Sequence, residues 1–143
     1  MSKKPKKCIS VKEAKMLEKN YVDTIEKALE KSQGCQECRE FWWSLEELED
    51  YIKYVKKKAK KKGYKNLGLR FYLGKYGKDV HVHEDGEEHE DMTLFIAPTG
   101  VHSTKTLTPI KRAVGAQAAA EDENIKDMDA YNGGHSRKPP KDY

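Results

Sequence analysis

The chain has 143 residues, of which 36% are hydrophobic and 36% charged, with a net charge of +4. That balance fits one small core with polar ends and leaves too little apolar material for several domains. No apolar run is long enough to span a bilayer, and the basic start around Lys3, Lys4, Lys6 and Lys7 lacks the apolar stretch of a secretory signal, so a soluble, cytoplasmic protein with no membrane partner is expected. Three cysteines, Cys8, Cys35 and Cys38, exclude a disulfide scaffold and fit a reducing compartment.

After a basic, disordered stretch over residues 1–9, Ser10 with Glu13 forms a capping box that opens a helix. This helix is predicted to run to about Ser32, stop before Gly34, and bury Leu17, Tyr21, Ile25, Ala28 and Leu29. A linker over residues 34–40 carries Cys35 and Cys38, and Phe41, Trp42 and Trp43 follow as an aromatic cluster expected to staple two helices together. Ser44 with Glu47 makes a second capping box. Leu45, Leu48, Ile52, Val55 and Ala59 then recur at three- and four-residue steps along a second helix that Gly63 ends.

Beyond this stop, Leu67, Leu69, Phe71 and Leu73 alternate with Gly68, Arg70 and Tyr72, which predicts a strand with one buried face. Next come Val80 and Val82, alternating with His81 and His83, and then Asp85-Gly86, a two-residue hairpin signal. Used as a turn, it sets His83 opposite Glu88 and His81 opposite Glu90. Otherwise residues 84–91 form a solvated acidic loop. Residues 92–97 read as an apolar, central strand that ends at Pro98-Thr99-Gly100. Val101 to Thr108 has the threonine content of one more strand, residues 111–121 read as a short helix, and the sequence from Tyr131 onward, with Gly133, Gly134, Pro139 and Pro140, reads as an extended or disordered tail. The predicted organisation is thus an α+β domain over residues 10–110, two amphipathic helices on an antiparallel meander of three or four strands, followed by a weakly structured segment over 111–143. The predicted shared core comprises Trp42, Trp43, Leu45, Leu48, Ile52, Leu69, Phe71, Leu94 and Ile96.

The run Phe41-Trp42-Trp43-Ser44-Leu45-Glu46-Glu47-Leu48, the strands around Leu69-Arg70-Phe71-Tyr72-Leu73 and Thr93-Leu94-Phe95-Ile96-Ala97-Pro98-Thr99, and the closing Asn132-Gly133-Gly134 with Pro139-Pro140 resemble a group of small bacterial proteins of unknown function. The resemblance extends from Ser10 onward as scattered short motifs. It implies no activity, cofactor or catalytic residue.

Three sets of residues carry possible chemistry. Cys35-Gln36-Glu37-Cys38 has the spacing of half a zinc knuckle or of a dithiol couple, but no second cysteine pair completes it. Two ordinary thiols are the plainer reading. His81 and His83 share one face of a strand and, with Glu88 and Glu90 opposite, could hold a divalent transition metal, with hydrolysis open to such a site. Against this stands an exposed hairpin face on which each histidine meets a glutamate. Seven lysines between Lys53 and Lys62, interleaved with Tyr51 and Tyr54 and followed by Tyr64, could contact nucleic acid, while the same order of acids first and lysines last also favours a helix through its macrodipole. No phosphate loop, nucleophile elbow or calcium loop is complete. The leading expectation is therefore a non-enzymatic binding domain whose partner is another protein or a second copy of itself, with metal binding and nucleic-acid binding as alternatives.

Overall fold

Both capping boxes form. In the computed structural model, which describes residues 3–34, 39–76, 92–103 and 123–136, Ser10 Oγ accepts from Glu13 N at 3.2 Å while the Glu13 carboxylate accepts from Ser10 N at 2.7 Å. Ser44 and Glu47 repeat the arrangement at 3.1 and 2.7 Å. The element order is α1 (Val11–Tyr21), a π-helical turn (Val22–Glu26), α2 (Lys27–Gln33), β1 (Phe41–Trp42), α3 (Leu45–Lys61), β2 (Tyr64–Lys75), β3 (Met92–His102) and β4 (His135–Ser136). This is an α+β chain. Its residues fall into two compact units, Met1–Phe41 with Ser136–Tyr143, and Trp42–His135.

In the first unit the helical run ends at Gly34, whose φ of 72° is the left-handed conformation that glycine adopts without a Cβ clash. The predicted buried stripe is displaced. Leu17 and Ile25 are exposed, and Glu26 is the buried residue at 3% exposure. For Ile25 and Glu26, which lie in the π turn, the difference follows because that turn spreads more residues over each turn and rotates the side chains from there on relative to the α-helical pattern, whereas Leu17 precedes it. Residues eight apart in an uninterrupted α-helix lie ~80° apart around the axis, and the wider turn takes up that difference. Glu18 and Glu26 consequently come to the same guanidinium. Arg39 Nη1 donates to both Glu26 carboxylate oxygens at 2.9 and 3.0 Å, and Arg39 Nε to Glu18 at 3.2 Å. Burial opposes the charge on Arg39, but the hydrogen bonds to Glu18 and Glu26 outweigh it and hold its pKa above the usual value.

The second unit is built around β3. On one side β2 pairs with it antiparallel, from Tyr64 opposite His102 to Lys75 opposite Met92, with an irregularity between Lys65 and Gly68 where Asn66 takes a φ of 50°. On the other side, residues 123–131 dock along it. Ile96 and Tyr131 exchange both backbone hydrogen bonds at 2.7 and 2.8 Å, Ile125 N donates to Pro98 O at 2.9 Å, and Gly100 N donates to Glu123 O at 3.0 Å. β3 is therefore central, as its apolar sequence implied. It also runs past Pro98, where a strand end was expected. Ile96, Pro98 and Gly100 point their backbone groups toward the docked segment, and between Tyr131 and Ile125 that segment turns away and uses only the Pro98 carbonyl, so the missing N–H is not needed. Tyr131, expected in a tail, is instead docked along the sheet edge, and residues 137–143 lie outside the described residues.

The core comprises Tyr51, Val55 and Ala59 of α3, Ile96 of β3, and Ile125 and Met128, with Leu48, Leu69, Leu94 and Tyr131 packed against it. Three predicted core members are exposed: Trp42 at 61%, Leu45 at 81% and Phe71 at 57%. The side chains share one sheet face as expected, since Phe71 lies opposite Ile96 and Leu73 opposite Leu94. Coverage is what differs. Trp43 is half-buried, with its indole against Gly134 so closely that a Cβ there has no room.

Tyr51 ties the layers together: its ring stacks on Tyr131 with centroids 4.7 Å apart, and its hydroxyl lies 3.3 Å from Ile96 O and 3.1 Å from Asp129 O. Burial, reinforced by Tyr54 and Asp129, pushes its pKa up to about 12. Because the folded value lies above the unfolded one near 10, the stability from this group is fully present below pH 10 and is lost as pH rises through about 12. The protein is expected to unfold in that alkaline window. In Tyr51→Phe this contribution to the alkaline loss should vanish, at a cost of about 0.5–1.5 kcal/mol at neutral pH for the missing hydrogen bond; pH-dependent urea unfolding of both forms checks this.

Candidate docking surface

The position of α3 determines what the sheet leaves open. One flank of the helix faces residues 127–131: Tyr51 bonds Asp129 O, the Tyr54 hydroxyl bonds Asp129 Oδ2 at 3.1 Å, and Lys62 Nζ bonds Asp127 at 2.6 Å. Tyr64 donates to the other Asp127 oxygen at 3.2 Å, and the Lys62 hydrogen bond, against a small burial effect, holds the Asp127 carboxyl below its usual pKa. These contacts tie one flank of α3 to Ile96 of β3 and to the docked segment.

Leu45, Leu48 and Ile52 recur on the opposite flank of α3. The helix joins β2 through the short turn at Lys62 and Gly63, so the two run antiparallel. Leu45 is ~24 Å back along the helix from Lys61, and Phe71 is ~23 Å along the strand from Tyr64. The first half of α3 is thus level with the second half of β2. The apolar stripe of α3 is buried at Val55 and Ala59 and opens progressively through half-buried Ile52 and Leu48 to Leu45. On the sheet the same face goes from fully buried Ile96 to Phe71 and Leu73, which are 57% and 70% exposed. Leu45 on α3 and Phe71 and Leu73 on β2 thus leave apolar surface exposed within one unit. Among the described residues β2 pairs along one edge only, with β3.

The reverse face of the sheet is polar and internally bonded. Arg70 Nη1 donates to Asn124 Oδ1 at 2.9 Å, Asn124 Nδ2 donates to the Tyr72 hydroxyl at 2.7 Å, and Tyr72 stacks on Phe95 at 5.1 Å. Hydrogen bonds from Arg70 and Asn124 lower the Tyr72 pKa. Thr93, Tyr76 and Asn132 form a second knot, with Thr93 Oγ1 3.1 Å from the Tyr76 hydroxyl and 3.0 Å from Asn132 Oδ1. Near the start of β2 a cavity of about 660 Å³ is lined by Tyr64, Arg70, Gly100, His102, Glu123, Asn124, Lys126 and Asp127. Among the described residues its lining contains no serine, threonine or cysteine nucleophile, and Arg70 and Asp127 are already engaged with Asn124 and Lys62.

The chain matches no known family model, curated protein or solved structure. The site must therefore be read from its own geometry. His81, His83, Glu88 and Glu90, proposed from the sequence as metal ligands, lie outside the described residues, as do Cys35 and Cys38. Among the described residues no three His, Cys, Asp or Glu side chains converge in a way that could hold a metal ion, and no helix is long and apolar enough to cross a membrane. The tyrosines that were candidates to stack on bases are used internally: Tyr51 is buried against Tyr131, Tyr54 is bonded to Asp129, and Tyr64 meets His102 edge-on at 4.9 Å. The open apolar surface was missed because the alternation in β2 marks which side chains share a face and carries no information about how far the neighbouring helix reaches.

Proposed function

We propose that the Trp42–His135 unit is a non-enzymatic binding module that takes an apolar segment of another protein between the first half of α3 and the second half of β2. The reading rests on one observation: Leu45, Phe71 and Leu73, on α3 and β2 of the same unit, are 81%, 57% and 70% exposed. Small-molecule sites are concave and enclose most of their ligand. Side chains this open cannot do that, whereas an amphipathic helix or an added strand covers such a surface with its own apolar side chains. A reducing, cytoplasmic setting accords with the odd number of cysteines.

Site-specific photo-crosslinking in the native cell tests the proposal. A photoreactive residue at Leu73 and, separately, one at Leu45 should capture the same partner chain, because the two positions belong to the one proposed site. Replacing Phe71 with Ser should abolish both adducts while leaving the fold intact. Capture of unrelated chains from the two positions, or adducts indifferent to Phe71→Ser, would rule the proposal out.

A further inference from the structure

The outer face of α3 carries a second surface that the apolar site does not use. Lys56, Lys57, Lys60 and Lys61 are exposed and occupy the side of the helix opposite Tyr51, Val55 and Ala59. Among the described residues they have no acidic partner, in contrast to Lys53, Lys58 and Lys62, which meet Asp50, Asp129 and Asp127. The i,i+4 neighbours on this face repel, since Lys53 precedes Lys57, Lys56 precedes Lys60 and Lys57 precedes Lys61. The helix macrodipole acts only within the last turn and does not account for Lys56 and Lys57. A row of cations that opposes its own helix calls for an external polyanion.

We infer that this lysine face binds the phosphate backbone of a double-stranded nucleic acid without reading its sequence. Duplex is favoured over single strand because Tyr51, Tyr54 and Tyr64, the aromatics interleaved with or following the lysines, are engaged within the fold and leave no stacking platform for unpaired bases beside this row among the described residues. A membrane is disfavoured because the apolar residues of the lysine-bearing half of α3, Val55 and Ala59, are buried in the core and not available for lipid. A protein partner is disfavoured here because lysine is depleted in protein interfaces and no apolar anchor interrupts the row.

The test is anisotropy titration of the full chain against a short mixed-sequence DNA duplex over a range of salt concentrations. Four lysine–phosphate contacts predict a log K against log salt slope of roughly −3 to −4. Replacing Lys56, Lys57, Lys60 and Lys61 with Gln should remove the binding and raise the unfolding temperature slightly as the repulsion is relieved. Replacing Lys3, Lys4, Lys6 and Lys7, or Lys62 alone, with Gln should leave most of it. The inference fails if the duplex does not bind at low salt, if the four helix substitutions are without effect while the amino-terminal ones abolish binding, or if the matching single strand or phosphatidylserine vesicles bind as tightly as the duplex.

Discussion

Ile96→Ala should destabilise the protein by about 2–5 kcal/mol, because the lost transfer energy adds to the cavity left behind. Ile96 is fully buried and packs with Val55, Ala59, Ile125 and Met128, so the void would open between α3, β3 and the docked segment at once. The surroundings have little freedom to collapse into it. Tyr51 pins α3 to Ile96 O and Asp129 O, and the Ile96–Tyr131 backbone pair pins the segment. Urea unfolding should show a lower midpoint with an unchanged slope, and amide exchange should accelerate first over residues 123–131. A loss below about 1 kcal/mol would mean that this junction is not the core of the unit.

Glu26→Ala should cost about 3–5 kcal/mol in the first unit, since it leaves the buried Arg39 guanidinium without its two closest acceptors. The Arg39 and Glu26 side chains are only 9% and 4% exposed, so water cannot readily replace the lost partner. Glu18→Ala should cost less, because Glu18 is the more exposed carboxylate and supplies the longer bond. Replacing both members, Glu26→Leu with Arg39→Met, should recover much of the stability, as buried ion pairs exchanged for apolar residues of similar volume often do. Amide exchange over residues 11–33 would report these changes unit by unit. Similar protection in Glu26→Ala and the unmodified chain would show that the π turn does not depend on this cluster.

What the sequence made legible is local. Both capping boxes, the stops at Gly34 and Gly63, the α3 stripe and the alternation of β2 are set by residues within a few positions of one another, and each is present. Coverage depends on distant partners. Asp127, Asp129 and Tyr131 tie α3 to the docked segment, and no pattern within residues 64–75 records that. Ile125 and Met128, three apart among acids, gave only a faint apolar signal in a segment that otherwise reads as polar. Glu18 and Glu26 look like solvent-facing helix acids, and the π turn that makes them a pair has no sequence signature. Of the candidate sites, the lysine face was legible because its spacing is helical. The open apolar surface was not, since Leu45 and Phe71 carry the same pattern as truly buried residues.

The most direct measurement of the account is the equilibrium unfolding free energy of Phe71→Ala compared with the unmodified chain. Phe71 shares its sheet face with Ile96 but is 57% exposed, so the substitution should cost less than about 1 kcal/mol. A cost of about 3–5 kcal/mol, the usual range for truncating a buried phenylalanine, would show that the second half of β2 is covered and that no open surface exists there for a partner to occupy.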